Sequence, residues 1–148
     1  MTPTPDAAGP VSPAQQEADA RAGAARAVIA ASARATAAVL PHVRQLLPAD
    51  WRAGSHQAIA GATHTVAIDP PTALVDATAY LLPDTGACEG TESGWWVRVH
   101  NRQQQVDFPL YTDGGAHAAV FAHIADAVTA AITALRIEAV PARSGHRR

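Results

Sequence analysis

The sequence of 148 residues contains no lysine and a single cysteine. All eleven of its basic residues are therefore arginines, which together with the abundant alanine is typical of a GC-rich bacterial genome. With Cys88 alone, the chain has no internal disulfide bond and no cysteine-based metal site. We therefore expect a reducing, cytoplasmic location. We interpret Cys88, which stands beside Glu89 in a polar segment, as an incidental loop thiol.

A strong charge of one sign and a long uninterrupted apolar run are missing as well. The formal net charge is −2 and the pI is near 6.4, so the basic footprint typical of duplex nucleic-acid binding is absent. The most apolar stretch, residues 20–40, is interrupted by Arg21, Arg26 and Arg34, and we predict no membrane span. The first residues lack the basic start and apolar stretch of a signal peptide.

The first predicted element is a long helix over residues 13–47. Ser12 is a suitable N-cap, Pro13 fits the first helical position, and Gln15 stands where it can complete a capping box. The first half has little apolar surface, whereas the second half carries one apolar stripe. Pro41 falls inside that stripe, and both a kinked helix and two abutting helices fit the pattern.

Alternating polar and apolar residues predict four strands. The first covers residues 56–69. The second covers residues 72–82, where a helical pattern also fits; we choose a strand because sequential strands tend to pair. The last two, residues 95–101 and 105–110, flank a short polar break and predict a β-hairpin. Pro109 has no amide hydrogen to donate, so the last strand should lie at or near a sheet edge.

A second helix is predicted after Asp113, the candidate N-cap, with an apolar stripe from Val120 and Phe121 to Leu135. The order α-β-β-β-β-α predicts an α+β two-layer sandwich. In it, a four-stranded antiparallel sheet carries the long N-terminal helix and the C-terminal helix on one face. We expect a single domain over residues 13–138. A disordered tail of residues 1–12 should precede it, and a flexible basic tail of residues 139–148 should follow.

Alternation within residues 95–101 assigns the side chains of that strand to two faces. Trp95, Val97 and Val99 form an apolar set, which we assign to the core under the helices. The opposite set is a mixed aromatic and cationic stripe that a purely structural strand does not require. The candidate binding residues on this open face are Trp96, Arg98, His100, Arg102, Tyr80 and Tyr111.

No catalytic residue, metal site or cofactor site is predicted. Asp76, His100 and Asp107 meet on the open face if the strands pair in order, but nothing in their spacing singles out an acid–base pair. The seven histidines lack the spacing of metal ligands, and we interpret them as scattered surface residues plus a core His64. A glycine-rich phosphate loop and a nucleophile elbow are both missing.

The sequence therefore favours a non-enzymatic binding or interaction module that uses its open sheet face. A protein partner or a second copy of the chain is the expected occupant, while a membrane and duplex nucleic acid are not expected partners. Two alternatives stay open. One is a self-associating structural module with the open face as its dimer contact. The other is a small-ligand carrier or enzyme with a pocket between helices and sheet, near His64 and Trp51.

Overall fold

The computed structural model describes residues 12–84, 94–112 and 117–140. Apart from Ser12, Ala139 and Val140, the two predicted tails lie outside these ranges, as do Cys88 and Asp113. The described helices and strands are α1 Pro13–Leu46, β1 Arg52–Gln57, β2 His64–Asp69, β3 Ala77–Pro83, β4 Trp95–Asn101, β5 Val106–Pro109, β6 Tyr111–Thr112, β7 His117–Ala118, β8 Val120–Phe121 and α2 Ile124–Glu138.

Within the described ranges, six strands form one antiparallel sheet in the order β1-β2-β3-β4-β5, with β8 also paired to β4. Strands β6 and β7 form a separate two-stranded ribbon. Helix α1 packs against β1, β2 and β3, and helix α2 packs against β3, β4 and β8. The predicted α+β architecture, with both helices on one face of an antiparallel sheet, is confirmed.

One hydrophobic core lies between the helices and the inner face of the sheet. Ile68, Leu81 and Leu135 are completely buried in it, and burying a side chain of this size stabilises the fold by about 1.5–3 kcal/mol. Trp95, Val97 and Val99 are 2% exposed or less, so they face the core as predicted. The other core residues are Val43, Val66, Val75, Ala77, Ala79, Ala127, Val128, Ala131 and Ala134.

Residues 56–69 are not one strand, and the predicted number of four strands is wrong. They contain the last two residues of β1, a turn and β2, and β1 and β2 together form a hairpin. In the turn, the amide of Ala62 donates to the carbonyl of Ile59 at 3.0 Å, and Gly61 has a φ of +88°, which favours glycine. The Gln57 side chain donates to the Ala62 carbonyl at 2.7 Å. Because the run is rich in alanine, its polar and apolar positions hardly differ in character. The sequence pattern therefore does not reveal the turn.

The second helix begins later than predicted. Val120 and Phe121 form β8, which pairs with Trp96 and Trp95 of β4, and α2 begins only at Ile124. Their helical spacing relative to α2 is thus overridden by backbone pairing with the sheet.

The strand chosen for residues 72–82 is confirmed from Ala77 onward, whereas residues 72–74 form a turn. Strand β5, which contains Pro109, is the last in the sheet order, so the predicted edge position is also confirmed. Val106 of the same strand is 40% exposed.

Helix α1 is continuous over 34 residues and includes Pro41. The Ser12 hydroxyl caps it by accepting from the Gln15 amide at 3.1 Å. The Gln15 side chain donates to Asp19 at 2.9 Å instead of completing a capping box. From residue 13 to residue 27 every side chain is exposed, with the glycine at position 23 half-buried.

By length and mean hydropathy, α1 is the one helix in the described part of the chain that could cross a bilayer, and only 11% of its most apolar window is buried. Arg21, Arg26 and Arg34 lie along it, and a charged side chain at the bilayer centre costs about 2.5–3.5 kcal/mol. The expected absence of a membrane partner stays a prediction.

Ser32 connects α1 to the sheet. Its hydroxyl donates to the Ile29 carbonyl at 2.6 Å and accepts from the backbone amide of His64, the first residue of β2, at 2.8 Å. Thr36, one turn later, donates at 3.1 Å to the Ala33 carbonyl of its own helix. Both side chains are buried, so the two hydroxyls differ mainly in whether they reach the sheet.

We predict that Ser32→Ala lowers the free energy of unfolding by about 1–3 kcal/mol, because the His64 amide loses its acceptor at the helix–sheet contact. Thr36→Val is the matched control, since it removes an equally buried hydroxyl that bonds within the helix, and we expect a loss under about 1 kcal/mol. Urea unfolding of both variants measures the difference. Equal losses would contradict a role for Ser32 in joining the two layers.

Candidate functional site

The sheet face opposite the helices, called the outer face below, carries ladders of aligned side chains. In one ladder, Tyr80 of β3 lies opposite Arg98 of β4. In the next ladder, Thr78 lies opposite His100, which in turn lies opposite Asp107 of the edge strand β5. Antiparallel pairing therefore brings together side chains that are far apart in the sequence.

The structure brings three of the six candidate binding residues together and separates the other three. Tyr80, Arg98 and His100 line one cavity of about 370 Å³ on the outer face, called the cleft below. Trp96 is half-buried on the same face but is not part of its lining. Tyr111, 56% exposed, belongs to the separate β6–β7 ribbon. The described residues that line the cleft are His56, Ala58, Ala62, Thr63, Thr65, Tyr80, Leu82, Arg98, His100 and Asp107.

Arg102 is engaged elsewhere, in a polar cluster at the end of β4. Its Nε lies 2.8 Å from an Asp76 carboxylate oxygen, and its Nη1 donates to the Thr78 hydroxyl at 2.9 Å. That hydroxyl donates in turn to Asp69 of β2. The cluster joins strands β2, β3 and β4, so Arg102 has a structural task, and its binding role stays a prediction.

The carboxylate of Asp107 lies beside two polar residues of β4, Arg98 and His100. Its Oδ1 lies 2.5 Å from Nε of Arg98, and its Oδ2 lies 3.5 Å from Nδ1 of His100. Nδ1 of His100 is also a buried atom without a hydrogen-bond partner in the described residues.

The wall of the cleft nearest β1 is aromatic. The ring centroids of His56 and Tyr80 are 4.9 Å apart, with the ring planes inclined by 42°. Leu82 and the small side chains Ala58 and Ala62 add apolar surface beside them. The cleft thus has an apolar side at the β1–β2 turn and a polar side at Arg98, His100 and Asp107.

The sequence did not identify His56, Ala58 and Ala62 as site residues, because all three depend on the unrecognised hairpin. If residues 56–69 formed one straight strand, as predicted, the residues of the turn would lie away from the middle of the sheet. The structure folds β1 back onto β2, with His56 opposite Thr65, which brings the turn beside Tyr80. A glycine at position 61 within an alternating run was the available signal for this turn.

A second cavity, of about 690 Å³, lies at the other end of the hairpin. Trp51 lines it together with the loop that follows β2, and Arg136 of α2 stacks over the Trp51 ring at 5.7 Å. His64 lines neither of these two cavities. The alternative of a pocket between helices and sheet near both His64 and Trp51 therefore gains no support from them.

In the described ranges, no group of three or more histidine, cysteine, aspartate or glutamate side chains is arranged to hold a metal ion. No protein-family model matches the sequence, no curated protein is significantly similar to it, and no solved structure significantly resembles its fold. Function must therefore follow from the chemistry of the cleft.

Proposed function

We propose that the protein is a non-enzymatic binding module that recognises its ligand on the outer face of the sheet, in the cleft. Two features of the fold support this. Both helices pack against the inner face, while on the outer face Arg98 is exposed and Tyr80 and His100 are half-buried. The cleft also combines a mostly apolar lining with a few convergent polar groups, which is the usual composition of a small-ligand site.

The single observation that carries the proposal is the convergence of Tyr80, Arg98 and His100 with the β1–β2 turn around one cavity. An arginine and a histidine held beside a carboxylate on a rigid sheet are positioned groups rather than freely moving surface side chains. A solvated sheet face that binds no ligand would not require a cavity lined by aromatic, cationic and small apolar side chains.

We predict that Ala62→Leu weakens ligand binding at least tenfold by filling part of the cleft. Ala60→Leu is the matched control, because residue 60 lies exposed in the same turn and does not line the cavity. Two-dimensional NMR of labelled protein with a fragment library should show shifts at the amides of Leu82, Arg98 and His100. For each fragment, we expect binding at least tenfold weaker in Ala62→Leu and unchanged in Ala60→Leu. Unchanged binding in both variants would refute the proposal.

A self-associating module is the second candidate function, and exposed apolar side chains favour it. Ile59 in the β1–β2 turn is 73% exposed, and Val120, paired with Trp96, is 44% exposed. A second copy seated on the outer face would cover both. Sedimentation of the wild type and of a Trp96→Ala, Arg98→Ala double variant distinguishes the candidates. A dimer that the double variant abolishes supports self-association, and a monomeric wild type excludes it.

A further inference from the structure

We infer that the cleft binds a small molecule with a flat apolar or aromatic body and a carboxylate group. This inference rests on the proposed function and adds the chemical class of the ligand. Size is the first constraint. At about 370 Å³ the cleft is near the lower end of the roughly 300–1,000 Å³ range of ligand pockets, so it suits a molecule of one or two rings.

The shape and composition of the walls favour a flat body. The rings of His56 and Tyr80 present aromatic surface on one side, and Leu82, Ala58 and Ala62 present short aliphatic groups. Aromatic side chains prefer offset or inclined contacts with other rings, and each such contact contributes about 0.5–1.5 kcal/mol beyond area burial. A flexible polar chain would gain little from these walls.

The charge of the lining disfavours a cation. Among the described lining residues, Asp107 contributes the one negative charge, and Arg98 contributes a positive charge that balances it. The imidazoles of His56 and His100 add no negative charge. The summed charge of these groups is therefore never negative, which disfavours a cationic ligand.

Hydrogen-bond geometry favours a carboxylate in particular. Asp107 lies against Nε of Arg98, while the guanidinium has four further N–H groups on its two terminal nitrogens. Likewise Asp107 lies beside Nδ1 of His100, so the Nε2 side of that ring is not directed at it. A planar carboxylate can accept two parallel bonds from the terminal nitrogens of arginine, and such bidentate pairs are among the strongest hydrogen bonds in proteins.

Four probes separate the parts of this inference by NMR titration of the full chain. Benzoate has both the ring and the carboxylate, benzyl alcohol has the ring alone, acetate has the carboxylate alone, and benzylamine reverses the charge. We expect benzoate to shift the amides of Leu82, Arg98 and His100 and to bind at least tenfold more tightly than each of the other three probes. Benzylamine or benzyl alcohol binding as tightly as benzoate would overturn the carboxylate assignment.

Arg98→Met tests the role of the guanidinium, and Arg34→Met is its control. Arg34 is exposed on α1, which packs on the inner face, and it does not line the cleft. We expect Arg98→Met to reduce benzoate affinity to that of benzyl alcohol and Arg34→Met to leave it unchanged. Circular dichroism confirms that both variants are folded. Equal effects of the two substitutions would overturn the inference.

Asp107→Asn tests the sign of the charge with almost no change of shape. The amide oxygen can still accept from Arg98, and the amide nitrogen can donate to the unpartnered Nδ1 of His100. Benzoate should bind more tightly to this variant, whereas a cationic ligand would bind less tightly. Weaker benzoate binding in Asp107→Asn would overturn the inference.

The failure of this inference is distinguishable from the failure of the proposed function. If uncharged or cationic fragments occupy the cleft, and Ala62→Leu excludes them, the binding module stands and the carboxylate class falls. If neither benzoate nor any fragment affects the amides around the cleft, both fall together.

Discussion

Leu81→Ala is expected to lower the free energy of unfolding by about 2–5 kcal/mol, the usual cost of removing a fully buried leucine side chain. Leu81 is completely buried at the centre of the inner face, paired with Val66 of β2 on one side and Val97 of β4 on the other. Three strands and two helices enclose it, so the cavity left by the substitution has little room to collapse. Urea unfolding measures the loss, with the dependence of the unfolding free energy on urea concentration held equal for the wild type and the variant.

Leu82→Ala is the matched control, because Leu82 is the next residue on the same strand and points to the outer face. It is half-buried and lines the cleft. We expect this variant to lose roughly half as much stability as Leu81→Ala, since part of the removed surface was already in contact with water. A loss equal to or greater than that of Leu81→Ala would show that the outer face is covered in solution, and the open binding surface would then be untenable.

Gly94→Ala is expected to cost about 2–6 kcal/mol, because it combines backbone strain with a steric clash, each worth about 1–3 kcal/mol. Gly94 has a φ of +148°, which side chains rarely adopt. An added Cβ would lie 2.7 Å from Cγ1 of Val120 and 3.0 Å from the carbonyl oxygen of Phe121. The substitution therefore pushes β8 away from the start of β4, and thermal unfolding should show a lower Tm.

Gly54→Ala is the control for this prediction and should have the opposite sign. Gly54 lies in the edge strand β1, and an added Cβ there meets no atom within 4 Å. Alanine restricts the unfolded chain more than glycine does, so we expect a gain of up to about 1 kcal/mol. Similar losses in both variants would mean that the contact between Gly94 and β8 has no special role.

Contrast between neighbouring residues explains how much of this fold the sequence could reveal. In β4, tryptophan and valine alternate with arginine and histidine, and the two faces follow directly from the alternation. In the β1–β2 hairpin, alanine, glycine and threonine occupy successive positions, and neither face is marked. Small side chains fit strand, turn and helix equally well, so the hairpin appears only when its pairing is known.

The candidate site could be predicted only in part, for a related reason. Arg98 and His100 lie on one strand and are visible from local spacing, and Tyr80 follows if neighbouring strands pair in order. Their assembly into a cavity depends on His56 and Ala62, which reach the same place through a turn that the local pattern conceals. Likewise, Val120 resembles the first turn of a helix until its pairing with Trp96 is known.

The exposed first half of α1 should unfold locally more easily than the rest of the described molecule. Residues 13–27 extend about 22 Å at 1.5 Å per residue, and no side chain in this stretch is buried. Helix held by propensity alone is marginal at this length, so these turns can open and reform without disturbing the sheet. The boundary of cooperative unfolding therefore falls inside a single helix, near the point where Ser32 anchors it. Amide hydrogens on the two sides of that boundary should therefore exchange with solvent at different rates.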